Sequence, residues 1–238
     1  MGFHSTTQTV RSRIITIDGP AGVGKTTAAK NLSIRIGFLF LDTGALYRAI
    51  ALHLLRHGLS QDVVAVPLEH LAPLDLRIEA NIGGMRLYLN GEDITFRIRD
   101  EEISDAASKF SALAQVRRFL LPLQRDIARR QDTVAEGRDM GTVVFPEADL
   151  KYCLTADLQE RARRRWMELM SRGSNVLQQD VETDIRSRDE RDAGRLNAPL
   201  MRPGDAICIV TTDLSADEVV EQLLLHVTER QITGRYGS

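Results

Sequence analysis

The sequence predicts an α/β fold: a central five-stranded parallel sheet with a small antiparallel insert and a helical lid. Three observations lead there. Short, wholly apolar runs alternate with amphipathic helical stretches, the pattern of strands covered on both faces. A glycine-rich loop joins the first such run to the first helix. One internal segment abandons that rhythm for strict apolar–polar alternation.

The strand candidates are Ile14–Asp18, Phe38–Asp42, Thr133–Glu136, Lys151–Thr155 and Ala206–Thr211. Helical patterns cover Lys25–Ile36, Gly44–Arg56, Asp157–Met170 and Ser215–Thr228. Ser215 with Glu218 three residues on forms a capping box that sets the start of the last helix. A long helical region, Asp105–Arg130, contains Pro122, which is expected to kink or divide it. In the irregular segment Leu74, Leu76, Ile78 and Ala80 alternate with charged residues, as do Met85, Leu87 and Leu89 after Gly83-Gly84. Asn90-Gly91 adds a second tight-turn signal. This reads as an antiparallel insert carried on the core, with an edge hairpin of the main sheet as the alternative. The expected division is core over 13–67, insert over 68–104, core over 105–160, lid and acceptor-contacting helices over 161–197, and core over 198–230.

Composition narrows the class. The 238 residues are 43% hydrophobic and 27% charged, enough for one core with one insert. A net charge of -2 argues against the broad electropositive field that a nucleic acid polymer requires. Only four lysines stand against 27 arginines, so either genome composition or a polyanionic small ligand explains the bias, and position must decide. Cys153 and Cys208 fit neither a disulfide framework nor a metal pattern, which suggests a reducing compartment. No apolar run approaches the ~20 residues of a membrane span. The polar segment Met1–Ser12 lacks the apolar core of a secretory signal and reads as a mobile arm or a cloning remnant. A cytoplasmic monomer is expected.

Gly19-Pro20-Ala21-Gly22-Val23-Gly24-Lys25-Thr26 fits G-x-x-x-x-G-K-[ST], with a strand leading in and a helix leading out. The glycines let backbone N–H groups converge on an anion at a helix N-terminus, a phosphate-binding loop (P-loop). Lys25 is placed to reach the β- and γ-phosphates of ATP, and Thr26 to put its hydroxyl on Mg²⁺. No guanine-reading N-K-x-D motif is present, which weakens a GTPase reading.

Strand ends across the sheet supply the other half of a crevice. One carries Asp42-Thr43-Gly44-Ala45-Leu46-Tyr47-Arg48, the other Glu136-Gly137-Arg138-Asp139-Met140-Gly141. An acid beside an arginine suits cytosine, whose amine donates and whose ring nitrogen and carbonyl accept. Arg188, Asp192 and Arg195 fall at i, i+4 and i+7 on one helix face, and Arg161, Arg163, Arg164 and Arg165 crowd another helix. Two such helices joined by Ser171–Asn175 look like a lid that excludes water and lends positive charge.

Taken together, Gly19–Thr27, Leu41–Arg48, Ala106-Ala107-Ser108, Glu136–Pro146 and Arg188–Leu200 resemble bacterial cytidylate kinase, over about Ile14 to Leu225. The stretch Glu136–Pro146 is the most diagnostic, and the Gly-Phe-Pro-Arg of adenylate kinases is absent from that strand end. The resemblance implies that Gly19–Thr27 (Pro20, Ala21, Gly22, Val23, Gly24, Lys25 and Thr26 included) bind ATP. It implies that Thr43, Ser108, Arg117 and Asp139 line a CMP or dCMP pocket near Tyr47. Arg48, Arg138 and Arg195 would hold the acceptor phosphate, Arg188 and Asp192 the ribose, and Arg164 would sit in the lid near the transferring group. Lys25, Arg138, Arg164, Arg188 and Arg195 would be the catalytic set. Two departures stand out: Thr43 where the family often has Ser, and Glu136 where many members have Asp. Rival readings are a P-loop kinase for another small acceptor and a nucleotide-binding regulator without phosphotransfer.

Overall fold

The computed structural model describes residues 11–72 and 74–232, so most of the expected N-terminal arm lies outside the described residues. Arg11 and Ser12, its last two residues, are held: Ser12 donates to the Ala128 carbonyl at 2.5 Å and Arg11 to the Glu147 carbonyl.

Chain order alternates as the apolar runs require: β1 (Ile14–Asp18), α1 (Lys25–Ile36), β2 (Leu39–Asp42), α2 (Thr43–Arg56), then β3 (Leu76–Asn81), β4 (Gly84–Leu89) and β5 (Glu92–Asp93). After these come α3 (Glu101–Phe110), α4 (Ala114–Arg130), β6 (Thr133–Gly137), β7 (Leu150–Thr155), α5 (Leu158–Ser171), α6 (Gln178–Ala193), β8 (Ile207–Val210) and α7 (Ala216–Glu229). Among the described residues the main sheet has the order β2-β6-β1-β7-β8, with every pairing parallel. The phosphate loop therefore leaves the central strand.

Two apolar layers flank this sheet. Ile15, Ile17, Tyr152 and Leu154 pack with Ala29, Leu32, Val219 and Leu223 of α1 and α7. On the other face Leu41 and Ala135 pack with Leu46, Ile50, Phe110 and Leu120 of α2, α3 and α4. Helices α5 and α6 close a smaller cluster of Ala162, Leu169, Val181 and Ile185 over Ala21.

The alternating segment forms its own three-stranded antiparallel sheet, β3-β4-β5. Asn90 and Gly91 both adopt positive φ, 50° and 84°, as a tight hairpin turn demands. One bridge, Leu39 to Ile82, ties this sheet to the β2 edge. Leu87, Leu89 and Ile94 are buried in the same layer as α2 and α3, so the insert shares a core with the main body.

The long helical region does divide, but at Ser111–Leu113 and not at Pro122. Pro122 lies inside α4 on its exposed side, and Arg118, whose carbonyl loses a helical donor, is exposed too, so water can satisfy it. The actual break frees Ser111, whose carbonyl accepts from Arg117 at 3.2 Å and whose hydroxyl accepts from Arg195 at 2.7 Å.

Candidate active site

Between the P-loop, the carboxyl ends of β2 and β6, and helices α5 and α6 lies a cavity of about 1050 Å³. That is at the upper end for a single small-molecule site and suits two ligands side by side. Among the described residues its wall carries eleven Lys and Arg side chains against six Asp and Glu, in a chain whose net charge is -2. Ten of the 27 arginines line this one cavity, a placement that suits a polyanionic ligand.

The loop is shaped by close packing. At Gly19, φ is 155° and an added Cβ would lie 2.3 Å from the Leu154 carbonyl oxygen. Gly24 at φ 94° caps α1 in the left-handed region, which releases the first helical N–H groups toward the cavity. Residues Ala21 through Thr27 line the cavity, whereas Gly19 and Pro20 stand behind it. Lys25 is 5% exposed, and its Nζ donates to the Pro20 carbonyl at 2.6 Å. Burial, reinforced by the Arg138 charge, lowers the Lys25 pKa to about 7. Across from it Glu136 is raised to about 7 by burial and by Asp42. Thr26 donates its hydroxyl to Glu136 Oε1 at 2.7 Å. A hydroxyl beside a carboxylate is an all-oxygen, hard donor set of the kind Mg²⁺ accepts alongside phosphate and water.

Asp18, fully buried at the end of β1, accepts from the backbone N–H groups of Met140 and Gly141, each at 2.8 Å. Those bonds anchor the π-helical turn Met140–Val144 and so fix the two residues before it, Arg138 and Asp139. Burial raises the Asp18 pKa to about 6.

On the acceptor side the predicted residues converge. Thr43, Tyr47, Arg48, Ser108, Arg117, Arg138, Asp139, Arg188, Asp192 and Arg195 all line the cavity. Asp42 caps α2, accepting from the Ala45 N–H at 2.8 Å, and holds Arg48 at 2.9 Å. Arg117 pairs with the buried carboxylate of Asp139. Asp192 joins two arginines, taking Arg138 Nε at 2.7 Å and pairing with Arg195. Thr43 turns its hydroxyl onto the Glu136 carbonyl at 2.7 Å. Arg188 reaches the Ser104 carbonyl at 3.1 Å, which bridges the lid to α3. The Ser108 hydroxyl, Arg48 Nε and Arg195 Nε are buried without a hydrogen-bond partner from the described residues. Buried polar atoms are rarely left so, and three on one cavity wall point to a polar ligand.

Arg164 also lines the cavity, but its guanidinium is engaged: it bonds Glu160 at 2.7 Å and the Thr211 and Thr212 carbonyls at 2.6 and 3.1 Å. It braces the loop after β8. That loop, Thr212–Ala216, forms a wall that the sequence reading did not include. The capping box at Ser215, directly after a strand end, was the available signal. Arg99 of the insert was also missed; it lines the cavity and lies 3.4 Å from Asp42. No motif marks it.

A P-loop facing an arginine-rich pocket across one cavity defines a nucleotide-dependent phosphotransferase of the P-loop kinase class. The comparisons with known proteins agree, and the chain belongs to the cytidylate kinase family, whose model matches residues 15–229. It is 44% identical to a cytidylate kinase of Caldanaerobacter subterraneus subsp. tengcongensis, over 88% of this chain and 92% of that one. It is 43% identical to that of Geobacter sulfurreducens, over 93% and 95%, and 44% identical to that of Shewanella loihica, over 92% and 96%. Among the described residues no helix is long and apolar enough to cross a membrane.

Proposed function

We propose that this protein transfers the γ-phosphoryl group of ATP to the phosphate of CMP or dCMP, giving ADP and CDP or dCDP. The observation that carries this is one cavity lined by Lys25 of the phosphate loop, by the Arg117–Asp139 pair and by Ser108, whose hydroxyl is buried without a partner.

Each group has a role that its chemistry supports. The loop amides and Lys25 hold the ATP phosphates. Arg48, Arg138 and Arg195 hold the acceptor phosphate, with Asp192 aligning the last two. Asp139 accepts from the cytosine amine while Arg117 and Ser108 donate to its ring. Arg188 and Asp192 meet the ribose. Thr26, with Glu136 beside it, would hold Mg²⁺, which supplies charge neutralisation to the phosphates. The acceptor is already an anionic phosphate, so no general base is required; catalysis is positioning and charge stabilisation. Residues 161–197 act as the lid and residues 68–104 as the acceptor-side insert, on a core of 13–67, 105–160 and 198–230.

The decisive experiment is ADP release measured with CMP, dCMP, UMP, AMP and GMP as acceptors. CMP or dCMP should be strongly preferred. A strong preference for UMP or AMP would overturn the assignment, and tight ATP binding with no acceptor-dependent turnover would favour a regulator.

A further inference from the structure

Away from the cavity, Cys153 of β7 and Cys208 of β8 stand directly opposite each other in the parallel ladder. Directly paired residues on neighbouring strands project to the same face. On β7, Leu150, Tyr152 and Leu154 turn into the α1–α7 layer, and on β8 Ile209 does the same. The two cysteines therefore share the opposite face. Cys208 is exposed on the edge strand, whereas Cys153 is 8% exposed one strand further in. Paired strands run ~4.7–4.9 Å apart, inside the ~4.4–6.8 Å Cα separation that a disulfide spans.

We propose that Cys153 and Cys208 are a reversible redox pair that closes into an intramolecular disulfide when the protein meets hydrogen peroxide. The exposed Cys208 reacts first. Its thiolate sulfur attacks one peroxide oxygen, the O–O bond breaks, and Cys208 becomes a sulfenic acid as hydroxide leaves and is protonated to water. The Cys153 sulfur then attacks the Cys208 sulfur, the S–OH bond breaks, and the thiol proton of Cys153 leaves with that hydroxide as a second water. Two thiols are oxidised by two electrons and one peroxide is reduced. Burial, with the neighbouring Cys208 next, raises the Cys153 thiol to about 11, which disfavours it as the first thiol to meet peroxide; its resolving role rests on standing opposite Cys208 in the ladder.

The link would join the sheet edge to the strand beside β1, where Cys153 is itself the register partner of Asp18. Beyond Cys208, the residue after β8, Thr211, donates to the Val23 carbonyl at 3.2 Å and receives Arg164 on its own carbonyl. The cross-link thus staples the strand that carries one cavity wall. Strand spacing need not change, so turnover is expected to survive while thermal unfolding moves to higher temperature.

The test is dilute hydrogen peroxide on the reduced full chain, followed by intact mass, thiol titration and peptide mapping. The two thiols per chain should fall to none, with a mass loss of about 2 Da, a Cys153–Cys208 peptide, and full recovery in dithiothreitol. Cys208→Ser should leave Cys153 unreactive in the folded protein. Cys153→Ser should let Cys208 proceed to sulfinic acid, for want of a resolving thiol. Thiols that persist in the wild type, oxygen added to Cys208 alone, or disulfide-linked dimers would each overturn the proposal. None of these readouts depends on the nucleotide accepted.

Discussion

Replacing Arg138 with Met separates chemistry from folding. Its Nε is committed to Asp192 at 2.7 Å, and its side chain is 24% exposed. Among the described residues its terminal nitrogens make only a 3.4 Å approach to the Gly137 carbonyl, which leaves them available to a ligand in the cavity. A well-placed arginine at a transferring phosphoryl group is worth ~10³–10⁵ in rate, or about 4–7 kcal/mol. The stability cost is smaller, because Asp192 keeps Arg195 as a partner and is not left as an orphaned buried charge. Losing one charge-assisted bond costs about 2 kcal/mol, a fall in unfolding midpoint of roughly 4–8 °C for a chain of this size. Coupled ADP-release kinetics on the folded variant, with ATP affinity measured by equilibrium dialysis, separates the two effects. Turnover should fall at least ~10³-fold while ATP affinity changes little. A loss below ~10-fold in the folded variant would mean that Arg138 only holds Asp192 in place.

Three further outcomes are expected. Metal-free ATP should bind with proton uptake at pH 7–8, because phosphate charge raises both Lys25 and Glu136 from near 7. Uptake should fade below pH ~6, where both groups already carry protons; calorimetry in buffers of different ionisation enthalpy reads it, and proton release would contradict the assignment. Asp139→Asn should lower the preference for CMP over UMP by at least ~10-fold, since an amide can present either a donor or an acceptor to the base; competition kinetics checks it. Ile94→Ala, at a fully buried insert position, should cost about 2–5 kcal/mol in one cooperative transition. Two separate transitions in denaturant would show that the insert does not share the core.

The legible parts of this protein were those written locally. Strands buried on both faces read as unbroken apolar runs, the hairpin announced itself through Asn90-Gly91, and the phosphate loop is contiguous. The acceptor residues came mainly from resemblance; no local pattern ties Ser108 on α3 to Arg195 beyond α6. What escaped reading depends on distant partners. Pro122 was the obvious breaker, yet exposure let α4 run through it, and the real break serves Arg117 and Arg195. Arg164 was expected near the transferring group, and it does line the cavity, but no local pattern announced its bonds to the Thr211 and Thr212 carbonyls. Asp18 gave no sign that it orients Arg138 and Asp139, because that role needs two backbone N–H groups 122 and 123 residues away.

Ala21 links the phosphate loop to helices α5 and α6. Its N–H donates to Asp189 of α6 at 3.2 Å, and its carbonyl receives Arg161 of α5 at 3.0 Å, with Arg161 and Asp189 paired to each other. The loop at the centre of the sheet is therefore not a self-sufficient module that could be transplanted with its strand and helix alone. A chimera carrying only β1, the loop and α1 would leave the Ala21 amide and carbonyl without their partners at the cavity rim. For anyone recombining such kinases, the unit of inheritance is the loop together with Arg161 and Asp189, 140 and 168 residues downstream.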